Sequence, residues 1–267
     1  MADQKIIKIS APEKRAFWKL PVLFEGNGLL ALEKPSHLLV SPEKQRADDP
    51  VLTKILQRDI KQGAAWNRER GYTFLDLLYT VDFEASGVVL FATDKDVFTA
   101  MRNLIGSRQV DFQFTVLSHG NSPDDEFVVD LKLAPHPTRR WMMRINRTKG
   151  KQSLTAVRIK ERFRFGQLVE CETQTLRPHQ VRVHLQAADH PVMGDALYGG
   201  DILMLSQLKR KYRGKRTEVE KPLIDRAAIH LSKTAFEHPV SGDRIEIESP
   251  LPKDLAVALK YLRQYGR

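Results

Sequence analysis

The chain has 267 residues, 42% hydrophobic and 28% charged, with 43 Lys+Arg against 33 Asp+Glu for a formal net charge of +10. That length can bury a sizeable core. No apolar run reaches the roughly 18 residues a membrane helix needs, and the charged N-terminus "MADQKIIKIS" has no apolar segment of a secretory signal. A single cysteine, Cys171, excludes an intramolecular disulfide and is expected of a reducing, cytoplasmic setting.

In chain order, "LPVLFEGNGLLALEKPSHLLVSP" (20–42) reads as two strands about the turn Gly26-Asn27-Gly28, followed by a proline-bounded loop. Val51, Leu52, Ile55, Leu56 and Ile60 recur at helical spacing behind Pro50. "GVVLFATD" (87–94) is a buried strand, and Asp94 caps a helix through "KDVFTAMRNLIGSR". "DFQFTVLSHG" (111–120) alternates as a strand. "SLTAVRIKERFRFGQLVECETQT" (153–175) holds two alternating runs about Gly166, a hairpin in which Val169, Cys171 and Thr173 share one face. "PHQVRVHLQAAD" (178–189) opens a helix with Pro178 in its first turn, and "PKDLAVALKYLRQYG" (252–266) is a terminal helix. Strands and helices alternate without βαβ repeats. The expected fold is α+β, with a mixed, mainly antiparallel central sheet and flanking helices. No linker divides the chain, so residues 20–267 are expected as one domain behind an N-terminal extension, 1–19.

The basic excess is concentrated. "TRRWMMRINRTKGK" (138–151) carries Arg139, Arg140, Arg144, Arg147, Lys149 and Lys151 around Trp141, without an acid. "LKRKYRGKR" (208–216), with Lys209, Arg210 and Lys211 at its head, does the same around Tyr212. One such cluster is ordinarily a solvated face. Two, with the net charge, point to a polyanion that lysine and arginine hold by phosphate and aromatics by stacking.

Other chemistries fail on spacing. "GDALYGGD" (194–201) is no phosphate-binding glycine loop. His179, His184, His190 and His230 match no zinc pattern and lie among arginines, so no metal is expected. Ser86-Gly87 lacks the context of a nucleophile elbow, and Cys171 reads as core. What remains is Asp82 in "YTVDFEASGVVLFA" (79–92), and an arginine-rich block, "TLRPHQVRVHLQAADHPVMGDALYGG" (175–200), able to supply a partner. An arginine beside a buried aspartate keeps it ionised. Spacing alone does not choose between Arg177 and Arg182.

These blocks, with "LLALEKPSHLLVSP", "GKQSLTAVRI" and "RAAIHLSKTAFEHPVSGD" (226–243), follow one another in order over roughly residues 20 to 255. Together they resemble the RluA family of RNA pseudouridine synthases. Only residues 1–19 precede the resemblance, so no S4-type RNA-binding module is expected ahead of it. The resemblance implies a catalytic domain that isomerises uridine to pseudouridine in ribosomal or transfer RNA without a cofactor, and with no obligate protein partner or membrane. It assigns Asp82 as the catalytic carboxylate, attacking the sugar or removing a ribose proton, and Arg177 as its partner. Phe114 falls where the family has a base-stacking tyrosine. Tyr79, His179, Gln180 and Arg182 are expected at the substrate, with a hydrogen-bonded structural His179 and a scaffold Arg182 as the alternatives, and Phe114 reads equally as plain core of an alternating strand. Arg139, Arg140, Arg144, Lys209, Arg210 and Lys211 are candidates for the RNA backbone.

The chain departs from the family at several places. Thr80 stands for the arginine two places before the aspartate, Tyr79 for a histidine, Ala85 for a threonine, Leu176 for a glycine, and Phe114 cannot accept a proton. Three readings follow: an active synthase of a divergent branch, an RNA-binding or chaperone protein on a synthase scaffold, or an Asp82 that merely builds a turn.

Overall fold

The computed structural model describes residues 5–209, 212 and 219–266. The chain, read from sequence as one domain behind residue 19, falls into two compact units: residues 1–112 with 231–249, and 113–230 with 250–267.

The first unit begins inside the expected extension. β1 (Ile6–Ala11) and β2 (Ala16–Gly26) form an antiparallel hairpin, with Ile7, Ile9 and Leu20 fully covered. β3 (Leu29–Lys34) returns through the turn at Asn27-Gly28, as the sequence proposes. α1 (Leu52–Lys61) buries Leu52, Ile55 and Leu56, one face of a 3.6-residue repeat. α2 (Ala65–Arg68) is a single turn, and β4 (Asp76–Leu77) lies along β5 (Ser86–Ala92). All seven residues of β5 are buried, because it runs between β3 and a later strand. α3 (Lys95–Gly106) starts where expected: the Asp94 carboxylate accepts from the Asp96 and Val97 amides at 2.8 and 3.0 Å. β6 (Val110–Ser118) then leads the chain into the second unit.

There, β7 (Glu126–Asp130), the short hairpin β8 (Leu133–Pro135) and β9 (Met143–Ile145), and the long hairpin β10 (Leu154–Phe163) and β11 (Gly166–Thr173) follow. The sheet order is β6-β11-β10-β7, with β10 antiparallel to both neighbours. Phe163 pairs with Gly166, so the hairpin turns where the sequence places it. Val169, Cys171 and Thr173 are all buried. α4 (Gln180–Ala187) begins one residue past a left-handed His179 (φ 55°), which leaves Pro178 outside the helix and not in its first turn. α5 (Leu205–Leu208) is short. The chain re-enters the first unit for β12 (Ile229–Glu237) and β13 (Arg244–Glu248) and closes with α6 (Lys253–Tyr265) in the second.

In the first unit the strand order is β1-β2-β3-β5-β12, with β13 paired to β12. Gly87, at φ 122°, lets β5 approach β12: a Cβ there would overlap the Leu231 carbonyl. The strand pairings in each unit are mainly antiparallel, and the α+β expectation stands.

Candidate active site

Asp82 lies between β4 and β5, at the head of a tight turn in which the Ala85 amide donates to the Asp82 carbonyl at 3.1 Å. The turn is fastened from two sides. The His37 amide donates to the Phe83 carbonyl at 2.8 Å. From the end of β3, the fully buried Lys34 ammonium donates to the carbonyls of Ala85 (2.5 Å), Pro35 (2.9 Å) and Phe83 (3.4 Å). A buried ammonium is tolerated only where acceptors surround it, and here two of the three named belong to the Asp82 turn. The Arg46 guanidinium stacks 3.6 Å above the Phe83 ring, and the His37 ring lies tilted against the same ring with centroids 5.3 Å apart. Asp82 itself is half-buried and Thr80 exposed. The sequence matched Lys34 to a lysine-proline strand end without a role. Its signal is a lysine closing the buried run "LLALEK".

Tyr79, expected at the substrate, faces the core instead. It is 6% exposed, its ring meets Phe112 edge-on at 5.0 Å, and its hydroxyl lies 3.0 Å from the Thr234 hydroxyl and 3.3 Å from the Val88 carbonyl. Burial pushes its phenol well above the usual range. Phe114 is 5% exposed and belongs to the inward row Val110, Phe112, Phe114 and Val116 of β6.

In the second unit the arginine block is organised by Gln180, expected to touch substrate but 3% exposed. Its carbonyl oxygen accepts from the Arg177 amide (3.2 Å) and the Thr175 hydroxyl (3.1 Å). Its amide nitrogen donates to the Thr173 hydroxyl (2.9 Å), the Leu154 carbonyl (3.1 Å) and the Thr155 hydroxyl (3.2 Å). Gln180 is therefore a scaffold that holds the backbone of Arg177, and the correction is physical: no hydrogen-bonding capacity of its amide faces solvent. Arg177 is half-buried, its Nε 3.5 Å from the Gln152 carbonyl.

Arg182 is likewise corrected. It is 1% exposed and pairs bidentately with the equally buried Asp195, at 2.6 and 2.8 Å, which takes it away from any substrate. Asp195 also accepts from the Leu197 amide at 3.2 Å, so the pair ties α4 to the "GDALYGG" loop. Gly194 (φ 73°) has no room for a Cβ beside the Arg226 carbonyl. The Tyr198 hydroxyl meets His179 Nδ1 at 2.7 Å and accepts from the Met143 amide at 2.9 Å. His179, half-buried, thus joins the Arg177 loop to the β8–β9 hairpin. His184 is buried between the Thr155 hydroxyl and the Leu131 carbonyl, and burial lowers its pKa. Cys171 is fully buried, and desolvation pushes its thiol up, so it stays protonated.

The first basic cluster is the β8–β9 hairpin. Met142, Met143 and Ile145 pack on Leu133, Val183 and Tyr198, while Arg139, Arg140, Trp141 and Arg144 are exposed. Lys209 is exposed, its ammonium 5.6 Å from the Tyr265 ring. Arg210 and Lys211 lie outside the described residues. Among the described residues no three His, Cys, Asp or Glu side chains gather as a metal would need, and no helix is long and apolar enough to cross a membrane.

Residues 28–187, which include Asp82 and Arg177, match the family model described as RNA pseudouridylate synthase. Two proteins named ribosomal large subunit pseudouridine synthase D, from Xylella fastidiosa and Xanthomonas campestris, are each 30% identical; the matches cover 92% of this chain and 70% of each relative. Human RNA pseudouridylate synthase domain containing 4 shares the fold with a TM-score of 0.69 at 20% identity, over 91% of this chain and 92% of that one. Human RNA pseudouridylate synthase domain containing 1 does so with a TM-score of 0.60 at 20% identity, over 91% and 94%. The chain belongs to the RNA pseudouridine synthases, isomerases of uridine in RNA.

Proposed function

We propose that this protein converts specific uridines of ribosomal RNA to pseudouridine in the cytoplasm, with Asp82 as the reacting carboxylate and Arg177 as the cation that keeps it ionised. The observation that carries the assignment is the Asp82 turn, whose carbonyls are gathered by the buried Lys34 ammonium. A half-buried acid on so constrained a backbone is presented in one orientation, as a group acting on a bound nucleotide must be. The ribosomal substrate is supported by the two relatives at 30% identity, which are named for the ribosomal large subunit.

The reaction is an isomerisation. The C1′–N1 bond breaks, the base turns, C5 joins C1′, the C5 hydrogen leaves to water and N1 gains one. Asp82 begins it at the ribose, as nucleophile or as base, and either role needs the carboxylate charged. No redox partner enters. The target uridine leaves its stack at a cost of a few kcal/mol. Contacts of phosphates with Arg139, Arg140 and Arg144 on the exposed hairpin offset that cost. Tyr79, Gln180 and Arg182 take no part in contacting the base. Phe114 acts by packing within β6.

The test uses RNA labelled with tritium at C5 of uridine, taken from cells lacking this protein. Wild-type protein is expected to release tritium to water from the ribosomal fraction. Asp82→Asn is expected to release none while binding the same RNA within about twofold, because the amide keeps the shape of the carboxyl and loses its charge. Equal release by both proteins would remove Asp82 from the chemistry. Bound RNA without release from either ribosomal or transfer RNA would favour a binding protein on a synthase scaffold.

A further inference from the structure

The outer face of the N-terminal hairpin is unlike an ordinary solvated sheet face. β1 and β2 pair with Ile6 opposite Pro21, Lys8 opposite Lys19 and Ser10 opposite Phe17, while Ile7, Ile9 and Leu20 fill the inner face. Directly opposed residues of an antiparallel pair stand side by side on one face, about 5 Å apart at Cβ, where like charges repel. Among the described residues neither Lys8 nor Lys19 is within ion-pair distance of an acid. Beside them Phe17 is 56% exposed and Ile6 45%. Residues 5–21 carry Lys5, Lys8, Lys14, Arg15 and Lys19 against Glu13 alone.

The same face continues into an open cleft, where Lys5, Ile6 and Lys8 meet Trp66, Arg70 and Tyr72. Of its two acids, Glu25 is spanned by Arg70 (2.7 and 3.3 Å), the Tyr72 hydroxyl (2.5 Å) and the Lys5 ammonium (3.7 Å), and Glu69 is exposed at its margin. Trp66 is held by its indole nitrogen on Asp59 at 3.1 Å, which fixes its ring at the cleft. Lysines on an edge strand commonly serve to block pairing with other chains. That accounts for Lys8 on β1 and for Lys19 on the half of β2, residues 16–21, that pairs with β1 alone. It does not account for the exposed Phe17 ring beside them or for the Trp66 ring held at the cleft.

We propose that this face is an auxiliary binding surface for single-stranded RNA, with Lys8 and Lys19 on successive phosphates and the rings of Phe17 and Trp66 stacking on bases. Opposed lysines and interleaved aromatics are what a sequence-tolerant single-strand platform requires. β1 pairs with residues 16–21 of β2 and β3 with residues 22–26, so two strands and an offset along β2 separate the surface from β5, at whose start the Asp82 turn lies. It would hold RNA flanking the target and not the target base. The inference rests on the proposed RNA substrate and adds a site to it.

The test measures binding and turnover separately, on a long ribosomal RNA fragment, with Lys8→Gln/Lys19→Gln, Phe17→Ser and the control Lys8→Arg/Lys19→Arg. Losing two phosphate contacts is expected to weaken binding about tenfold at 0.15 M salt and to lower the slope of log K against log salt by about 1.4. Saturating tritium-release rates should stay within about twofold. Phe17→Ser should weaken binding with the salt slope unchanged, and the arginine control should bind as wild type. Unchanged affinity and slope in the glutamine pair would overturn the surface, including the case where that variant only aggregates, which is the edge-blocking role. If wild-type protein releases no tritium, the proposed reaction fails, while the binding comparison still decides the surface.

Discussion

Arg177 and Arg182 stand five positions apart in one block, and their environments set them to different work. Arg182 and Asp195 are each about 1% exposed and meet at 2.6 and 2.8 Å. Such a pair contributes little relative to an apolar replacement of both, yet removing one partner strands a buried charge. Arg182→Met is therefore expected to lower unfolding free energy by about 3–5 kcal/mol in urea denaturation. A loss under 1 kcal/mol would show that Asp195 regains water. Arg177 is half-buried, and its backbone is held by Gln180. Sequence made both arginines candidates, because a motif shows which side chains stand near one another along the chain and not which of them is already satisfied. Tyr79 shows the same limit. Its place in the Asp82 block suggested the substrate, but the chain bends at Leu78-Tyr79 and the ring packs on Phe112.

Among the elements, those marked by local chemistry were legible. Asp94 precedes a periodic apolar run and caps α3 through two amides. Asp94→Ala is expected to cost about 1 kcal/mol, read as a fall in melting temperature, whereas an unchanged melting temperature would mean the first turn is held by packing alone. The β10–β11 hairpin about Gly166, the buried run of β5 and the terminal α6 were likewise readable from alternation, apolar run and amphipathic spacing. β1 was missed although "IKISA" (7–11) alternates with period two, because a short run ahead of the first motif has no partner visible in sequence. The start of α4 was displaced because His179 adopts a left-handed backbone between Pro178 and the helix. That conformation follows from neither residue's propensity and accompanies the His179–Tyr198 hydrogen bond.

At the scale of the whole molecule, pH should act on stability in two stages. Burial lowers the pKa of His184 below its ordinary 6.5. The unfolded chain then takes up that proton first, so stability is full above about pH 6.5 and falls as pH drops beneath it. Asp254 and Glu25 are held low although desolvation, the largest single effect, raises both: the Arg226 pair outweighs it for Asp254, and Tyr72 and Arg70 outweigh it for Glu25. Their stabilisation is present above the ordinary carboxylate range and is lost as pH falls through their lowered values. The urea midpoint is expected to be lower at pH 5 than at pH 7.5, with a smaller difference in His184→Gln; equal differences in both proteins would remove His184 from the first stage. By itself the sequence determined the α+β class, most elements, the polyanion-seeking charge, and the ordered blocks that identify the family, since these depend on residue type and order along the chain. Tertiary structure alone decided that Gln180 and Arg182 are buried and bonded within the protein, that Tyr79 packs in the core, that Lys34 secures the Asp82 turn, and that Ile6–Ala11 and Ala16–Gly26 form a lysine-bearing hairpin. Burial and hydrogen-bond satisfaction are properties of neighbours distant in sequence, and spacing within a motif carries no record of them.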